Sequence, residues 1–344
     1  MRTPVGVAVV GASARAAALA RIFEELPQAD LRWIYDEGAA RSRGRDEARP
    51  LRTPDFDELL DDEQLDVVVF AATQLSTHGR ARAALEADKH IFIDGPLAFT
   101  SVDADMLVEL ASRRSRRLWS HLAGVRQPAA RRLHTLVDRG ALGEIFYLHA
   151  RRYVDRDDPA LDLLWGPGAD AVSLVLDLLA DEPIEAVAHA DSYLGRATPD
   201  VLFAELRFAT GIAAHVHLSC LEGETVERFS VVASEATAIL SEAAGRELVV
   251  YPGGDAVSSV AGIPLDRGSM IACRVPPEDP LRTACARFLG AVRSPGDAQH
   301  GREAAAAVAV LEALERSSQG QGVTESITPR AVLGGFNVVE LRSR

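Results

Sequence analysis

The feature of this sequence that most constrains its fold is the alternation of short apolar runs with helical segments near its start. Val5–Val10 and residues 67–72 are unbroken apolar runs, typical of parallel strands covered on both faces. Residues 31–35 and 91–93 are further strand-like runs. Between the runs, apolar side chains recur at helical spacing, as at Leu19, Ile22, Phe23 and Leu26. Repeated strand–helix units predict a doubly wound parallel sheet.

The second half of the chain has the pattern of an antiparallel sheet. Val201–Phe208 and residues 212–218 are strand-like runs separated by a Thr-Gly turn signal. Further strands are predicted at residues 229–233, 236–240 and 247–251, and helices at residues 129–139, 280–293 and 302–317. We therefore predict an α/β protein: an N-terminal Rossmann doubly wound parallel sheet plus a C-terminal α+β domain with a large, mostly antiparallel sheet.

Composition argues against several classes of function. A formal net charge of −13 over 344 residues disfavours nucleic acid or an anionic membrane surface as the main partner. No apolar run reaches the roughly 18 residues of a membrane span, so we expect none. Three cysteines without C-x-x-C spacing (Cys220, Cys273 and Cys285) disfavour a disulfide framework or a structural zinc site. The N-terminus lacks a signal peptide's layout, and we expect a cytoplasmic protein.

A strand-to-helix turn at residues 11–16, GASARA, is the candidate nucleotide site. At such a turn, the free N–H groups and the dipole of the helix N-terminus face a dinucleotide pyrophosphate. Of the pattern G-x-G-x-x-G only Gly11 remains, and Ser13 replaces the glycine that lets the backbone approach the phosphates. We take Gly11, Ser13, Ala14 and Arg15 as candidate cofactor-binding residues. The alternative is an ordinary alanine-rich strand–helix turn.

Asp36 supports the nucleotide interpretation. It lies at the end of the second strand, where a carboxylate can accept hydrogen bonds from both ribose hydroxyls of the adenosine half. Because it would repel a 2′-phosphate, Asp36 favours NAD over NADP as the cofactor, although Arg41 and Arg43 are close enough to blur that preference. The alternative is a solvated loop carboxylate.

Short motifs then follow in a characteristic order. They are TQLSTH at residues 73–78, ALEADKH at 84–90, DGP at 94–96, GALGEI at 140–145 and EALERS at 312–317. With the first turn, this series resembles the glucose–fructose oxidoreductase and inositol dehydrogenase (Gfo/Idh/MocA) family over about residues 5–322.

The resemblance implies a domain division and a set of cofactor contacts. We expect a dinucleotide-binding Rossmann domain at residues 1–121, an α+β substrate and oligomerisation domain at 122–322, and a C-terminal tail at 323–344. The cofactor-binding residues carried over from the motifs are Ala72, Thr73, His78, Asp94, Gly95 and Pro96. Family members often pair through the antiparallel sheet, so we also expect a homo-oligomer.

Two residues on which the family's chemistry depends are replaced. The family's Glu-Lys-Pro lysine reaches nicotinamide and substrate, and a histidine in Asp-x-Gly-x-His-x-x-Asp is its general acid/base. Here those positions hold Gly95 and Leu174, whereas both aspartates remain as Asp170 and Asp177. Oxidation of an alcohol by hydride transfer requires a base for the hydroxyl proton and benefits from a cation near the developing alkoxide. Neither glycine nor leucine supplies these.

Asp170 and His121 are the candidate catalytic residues that remain. On a helix over residues 169–180, Asp170 would lie beside Leu174, and desolvation in the cleft would raise its pKa toward acid/base work. Alternatively, Asp170 caps or orients the helix start, and Asp177 is interpreted as structural. His121 follows a strand and could replace the missing base, or it is a structural histidine.

Other candidates are less specific. His215 and His217 alternate along a strand and share a face, but no third ligand has recognisable spacing, so we predict no metal site. Four residues at the start of the second domain either bind an anionic or aromatic substrate or decorate the sheet: Arg151, Arg152, Tyr153 and Trp165.

Three functions are consistent with these features. The first is an NAD(P)-dependent oxidoreductase acting on a small molecule, namely a sugar, polyol or related hydroxy/keto metabolite, with a rebuilt catalytic site. The second is a redox-neutral enzyme on the same fold, catalysing elimination, isomerisation or cyclisation. The third is a non-catalytic NAD-binding sensor or partner subunit, because fold alone does not fix function.

Overall fold

The computed structural model describes ten stretches of the chain. They are residues 3–38, 50–122, 127–156, 161–241, 247–253, 258–260, 263–265, 270–273, 278–294 and 299–330. Arg41 and Arg43, which bear on cofactor preference, lie outside the described residues.

The first sheet is parallel throughout and confirms the predicted doubly wound architecture. Its strands are β1 (Val5–Val10), β2 (Ala29–Tyr35), β3 (Leu51–Thr53), β4 (Val67–Phe70), β5 (His90–Asp94) and β6 (Leu118–His121). The spatial order is β3-β2-β1-β4-β5-β6, so the order reverses between β1 and β4. In such a sheet, ligands bind outside the carboxyl ends of the strands at that reversal.

Helices connect these strands and cover both faces of the sheet. They are α1 (Ala14–Glu25), α2 (Phe56–Leu60), α3 (Thr77–Glu86) and α4 (Ser101–Arg113). Thr100 caps the start of α4, since its hydroxyl accepts a hydrogen bond from the Asp103 amide at 3.2 Å.

The second sheet is large and mostly antiparallel, as the sequence predicts. Its strands are β7 (Ile145–Tyr153), β8 (Pro183–Asp191), β9 (Val201–Phe208), β10 (Ala213–Ser219), β11 (Val226–Ala233), β12 (Ala236–Ser241), β13 (Glu247–Pro252), β16 (Ile271–Cys273) and β17 (Glu325–Ser326). Their order is β16-β13-β12-β11-β7-β10-β9-β8-β17. Within this described sheet, β7 and β10 form the parallel pair. A separate hairpin consists of β14 (Ser258–Val260) and β15 (Ile263–Leu265).

One face of this sheet is covered by α5 (Pro128–Asp138), α6 (Ala169–Leu179) and α8 (Gln299–Gln319). The helix α7 (Pro280–Val292) packs instead against α1 and β6 of the first half. Strand residues alternate accordingly, since Leu202 is buried toward the helices while Phe203, on the opposite face, is 50% exposed.

Two helices from the C-terminal half of the chain pack against the first sheet and its helices. Phe288 of α7 contacts Phe92 and Trp119 of the first sheet, and α8 packs against β6 and α4 as well as β8. The domain limits at 121 and 322 stay predictions, and part of the expected tail adds β17 to the second sheet. Among the described residues, no helix has the length and apolar character needed to cross a membrane.

Candidate functional site

The turn after β1 keeps the geometry of a phosphate-binding turn. Gly11 has φ of +133°, and a Cβ built there would already contact the Cβ atoms of Ala16 and Ala71 at 3.4 Å. Ser13 begins α1, because its hydroxyl accepts a hydrogen bond from the Ala16 amide at 3.2 Å. Residues 12–15 are all exposed, so the start of α1 has room for a pyrophosphate. A dinucleotide therefore fits this turn.

The end of β2 carries adjacent acidic residues. Asp36 Oδ1 accepts a hydrogen bond from the Gly38 amide at 2.9 Å. The neighbouring Glu37 pairs with Arg80 of α3, whose guanidinium lies 4.9 Å from the centre of the Tyr35 ring. Sequence reasoning missed Arg80 and Glu37, because they come together through the sheet and not through a motif.

The turn after β5 is fixed by its neighbours on both sides. Thr73, after β4, donates its hydroxyl proton to the Pro96 carbonyl. Ser120 of β6 donates to the Gly95 carbonyl at 2.6 Å, and the Gly95 amide donates to the His121 carbonyl at 3.0 Å. The candidate residues Thr73, Gly95 and Pro96 thus form one hydrogen-bonded unit at the carboxyl edge of the sheet.

Gly95 has a conformation that other residues rarely adopt. Its φ is +137°, and a Cβ at this position would lie 2.9 Å from Thr73 Oγ1. A lysine therefore does not fit this backbone without local rearrangement.

Arg15 and Asp94 form a two-pronged ion pair that joins the β1 turn to the end of β5. The Nε and Nη2 atoms of Arg15 donate to the two oxygens of Asp94, the second at 3.1 Å. Asp94 is almost completely buried, whereas the Arg15 side chain is 47% exposed. Burial raises the pKa of Asp94 above its usual value, and the Arg15 guanidinium opposes that rise.

Asp170 belongs to a second charged cluster, contributed by the C-terminal half. Arg152 of β7 donates to Asp170 Oδ2 at 2.9 Å and to Glu227 Oε2 at 3.0 Å, and Gln127 also contacts Glu227. Asp170 does not cap α6 with its side chain; Gly168 is the residue that precedes the helix. Asp170 is therefore a carboxylate paired with a cation, a partner that the sequence did not indicate.

The two clusters are close enough to interact. The pKa of Arg15 is raised, first by its hydrogen bond to Asp94 and, among smaller causes, by the charge of Asp170. The second half of the chain thus brings a carboxylate toward the candidate nucleotide turn.

The remaining positions of the second family motif differ in burial. Leu174 is 3% exposed and belongs to the hydrophobic core. Asp177 Oδ2 lies 3.8 Å from His134 Nε2 of α5, in keeping with the structural interpretation. The Ser173 hydroxyl is buried and has no hydrogen-bond partner within the described ranges. It lies one turn after Asp170 on α6.

His121, Ala72 and His78 occupy different surroundings. His121 is 2% exposed, and its ring stacks on Phe92 with centroids 6.0 Å apart. The Ala72 carbonyl accepts a hydrogen bond from the Thr77 hydroxyl at 3.3 Å, which shapes the turn after β4. His78 Nε2 faces α4, 3.7 Å from Asp103 Oδ1. Their assignment to the catalytic or cofactor site stays a prediction.

Three of the four residues that either bind substrate or decorate the sheet lie on strand β7, and they divide between its two faces. Arg152 points toward Asp170, whereas Arg151 and Tyr153 lie on the open face with His217. Trp165 Nε1 donates to Glu315 Oε1 at 3.2 Å. In the part of the chain that the structure describes, no group of three or more His, Cys, Asp or Glu residues could hold a metal ion.

The fold and the nucleotide turn define a class, the NAD-binding Rossmann oxidoreductases. Residues 5–122 match the model of the Gfo/Idh/MocA oxidoreductase family, described as "Oxidoreductase family, NAD-binding Rossmann fold". The first sheet and its helices therefore match the NAD-binding domain of this family. Inositol 2-dehydrogenase 2 of Saccharopolyspora erythraea is 30% identical over 179 residues, which are 50% of this chain and 52% of that protein. The match thus spans about half the length of that relative.

Solved structures share the fold over nearly the whole chain. An oxidoreductase domain protein from Kribbella flavida has a TM-score of 0.79 at 18% identity, covering 95% of this chain and 100% of the other. Levoglucosan dehydrogenase in complex with NADH and L-sorbose has a TM-score of 0.79 at 16% identity, with the same coverage. At these identities the similarity shows the fold alone.

Proposed function

We propose that this protein is an NAD-dependent oxidoreductase that interconverts an alcohol and a carbonyl group on a sugar, polyol or related metabolite. The observation that supports it most is the position of Asp170, which Arg152 holds at 2.9 Å and which lies within electrostatic reach of Arg15 in the nucleotide turn. A carboxylate of the second domain then faces the turn where a dinucleotide binds. The relative named an inositol dehydrogenase and the neighbour solved with NADH and L-sorbose support this substrate class.

NAD is the cofactor that the described residues favour. The amides at the start of α1 suit the pyrophosphate, and Asp36 suits the two hydroxyls of the adenosine ribose. Glu37 adds a second carboxylate beside Asp36. Two acidic side chains at this strand end disfavour the 2′-phosphate of NADP, although Arg80 pairs with one of them.

A bound nicotinamide supplies the hydride acceptor or donor. The chain must then hold the substrate hydroxyl and take its proton. Asp170 Oδ2 is occupied by Arg152, and among the described residues no hydrogen-bond donor reaches Oδ1. We infer that Asp170 Oδ1 accepts the proton of the substrate hydroxyl, because Arg152 holds the carboxylate in place by its other oxygen. Ser173, one helical turn on, offers a buried hydroxyl for orienting the substrate.

Binding and turnover test this proposal separately. Isothermal titration calorimetry with NADH and NADPH should show tighter binding of NADH. No binding of either nucleotide would remove the basis of the proposal. Turnover is then followed by NADH absorbance, using NAD⁺ with myo-inositol and a panel of hexoses and polyols, and NADH with the corresponding ketoses.

A redox-neutral reaction is the second candidate. The observation that favours it is the loss of both the family's lysine and its histidine, at Gly95 and Leu174. In that case product forms without lasting change in NADH absorbance, and chromatography of the reaction mixture detects it. Tight NADH binding without any product would instead favour a sensor or partner subunit.

We also propose that two copies of the chain pair through the open face of the second sheet, in the reducing cytoplasm suggested by three free cysteines. That face exposes large apolar side chains, including Tyr147, Phe203 and Tyr251. Phe203 also stacks on His217 with centroids 4.4 Å apart. Analytical ultracentrifugation should show a dimer or larger assembly that Phe203→Glu dissociates, and a monomeric wild-type protein would exclude the pairing.

A further inference from the structure

The loss of a lysine at position 95 leaves the proposed reaction without its family's cation. Gly95 cannot regain a side chain easily, because its φ is +137° and a Cβ there would lie only 2.9 Å from Thr73 Oγ1. The neighbouring residue, however, holds a cation. Asp94 binds the Arg15 guanidinium through both carboxylate oxygens.

We propose that Arg15 is the active-site cation that replaces the family's lysine, reaching the nicotinamide end of the cleft from the first turn of α1. The inference rests on the proposed function. Arg15 lies in the first turn of α1, after β1, and not in the turn after β5, so the charge is kept while its origin in the chain has moved from β5 to α1.

The strand order supports this position. The adenosine half is expected over β2, where Asp36 lies, and the pyrophosphate over the turn after β1. The nicotinamide half must then extend the other way, over the ends of β4 and β5. The ion pair of Arg15 with Asp94 spans that interval, from the β1 turn to the end of β5.

The surroundings keep the guanidinium in place and leave it accessible. Asp94 is buried and holds two of its nitrogens, while 47% of the Arg15 side chain stays exposed for a ligand. Asp170 lies within electrostatic reach from the second domain. The other ionisable neighbour, Cys285 of α7, is a buried thiol whose pKa is raised chiefly by burial. Arg15 is thus flanked by two carboxylates and a neutral thiol.

A cation beside the nicotinamide ring should change the binding of the cofactor even when no substrate is present. The nicotinamide ring carries a positive charge in NAD⁺ and none in NADH. A fixed guanidinium near the ring therefore weakens NAD⁺ binding relative to NADH, whereas contact with the pyrophosphate alone would affect both equally. The ratio of the two dissociation constants, Kd(NAD⁺)/Kd(NADH), isolates the effect on the ring.

The test measures this ratio by calorimetry with NAD⁺ and NADH. Removing Arg15 alone would leave Asp94 buried without its partner and free to take up a proton, so the clean comparison uses the Asp94→Asn background. Asp94→Asn should raise the ratio above the wild-type value. Adding Arg15→Met should then lower it by roughly tenfold, the effect of one charge at a few ångströms in a partly solvated site. Adding Arg15→Lys instead should keep it high.

Arg21→Met is the control, since Arg21 lies on the same helix and pairs only with Glu25 among the described residues. It should leave the ratio unchanged. Circular dichroism establishes that each variant is folded. If both dissociation constants change together and the ratio stays constant in the Arg15 variants, Arg15 is a phosphate or structural residue and the inference is wrong. If wild-type protein binds neither nucleotide, the proposed function fails first and the inference with it.

Discussion

Thr73 Oγ1 lies 2.9 Å from the point where a Cβ at Gly95 would be, so these two residues together exclude an ordinary side chain at position 95. The same hydroxyl donates its proton to the Pro96 carbonyl, and Ser120 holds the Gly95 carbonyl. The geometry of this turn therefore suits glycine at position 95. In our proposal, the cation and the base of the reaction come from other residues.

Replacing Gly95 should destabilise the protein without restoring family catalysis. We expect Gly95→Ala to lower the free energy of unfolding by roughly 1–3 kcal/mol, because φ of +137° is strained for any side chain and Thr73 is too close. Gly95→Lys should cost at least as much and give no gain in turnover. Urea unfolding measures this. Gly79→Ala, at a helical glycine with nothing within 4 Å, should be neutral or slightly stabilising.

Arg152 should matter far more than its neighbour in sequence. Arg152→Met leaves Asp170 and Glu227 without the guanidinium that joins them, and should lower the free energy of unfolding by roughly 3 kcal/mol. Arg151→Met, on the opposite face of the same strand, is the matched control and should change it by less than about 1 kcal/mol. Equal losses in the two variants would contradict the assignment of Arg152 to the cleft.

Asp36 should control the affinity for NADH. Asp36→Ala removes an acceptor for both ribose hydroxyls, so we expect Kd for NADH to rise about tenfold or more while Kd for NADPH changes little. Glu24→Gln, an exposed carboxylate change on α1, is the control. Calorimetry with both nucleotides measures the change. Unaltered NADH affinity in Asp36→Ala would place the adenosine half elsewhere.

Stability should fall in mild acid because of His90. Burial, followed by the charges of Arg116 and Arg117, lowers the pKa of His90 to about 4, and its Nδ1 accepts a hydrogen bond from the Arg117 amide at 2.8 Å. The folded pKa lies below the unfolded value of about 6.5. Neutral His90 therefore contributes fully to the free energy of unfolding above about pH 6.5. This contribution is lost as pH falls toward about 4, at up to about 1.4 kcal/mol per pH unit.

His90→Gln should flatten this part of the stability curve by the same slope, at the cost of lower stability at neutral pH. His215→Gln, at a half-exposed histidine of the open sheet face, serves as the control. Urea unfolding from pH 7.5 to 4.5 compares the three proteins. A curve for His90→Gln that stays parallel to the wild type would show that His90 is not the group responsible.

Much of the fold could be predicted from the sequence because the spacing of apolar residues differs between buried strands, half-buried strands and helices. Val5–Val10 and Val201–Phe208 were predicted with the observed limits, since unbroken and alternating apolar patterns mark the two kinds of strand. These features depend on neighbours in the sequence, and their physics is local.

The candidate site was less predictable because its contacts are distant in sequence. Arg15 and Asp94 are 79 residues apart, and neither pattern nor spacing relates them. The hydrogen bonds that hold Gly95 and Pro96 likewise come from distant residues, namely Thr73 after β4 and Ser120 and His121 of β6. For Arg152 the sequence did contain a signal. Side chains alternate between the faces of a strand, so Arg152 lies on the same face of β7 as the buried Leu148 and Ala150. The pattern that places those two in the core also points Arg152 to Asp170.

The most direct test of the central claim compares turnover in Asp170→Asn and Asp177→Asn. Both variants change one carboxylate on the same helix. Asp170 pairs with Arg152 near the candidate nucleotide turn, whereas Asp177 pairs with His134. With a sugar or polyol that the wild-type protein oxidises, NADH formation should fall at least a hundredfold in Asp170→Asn and stay within a few-fold in Asp177→Asn, as expected when a general base is lost. Equal rates in the two variants, or no NADH formation by the NAD-bound wild-type protein across the panel, would contradict the account.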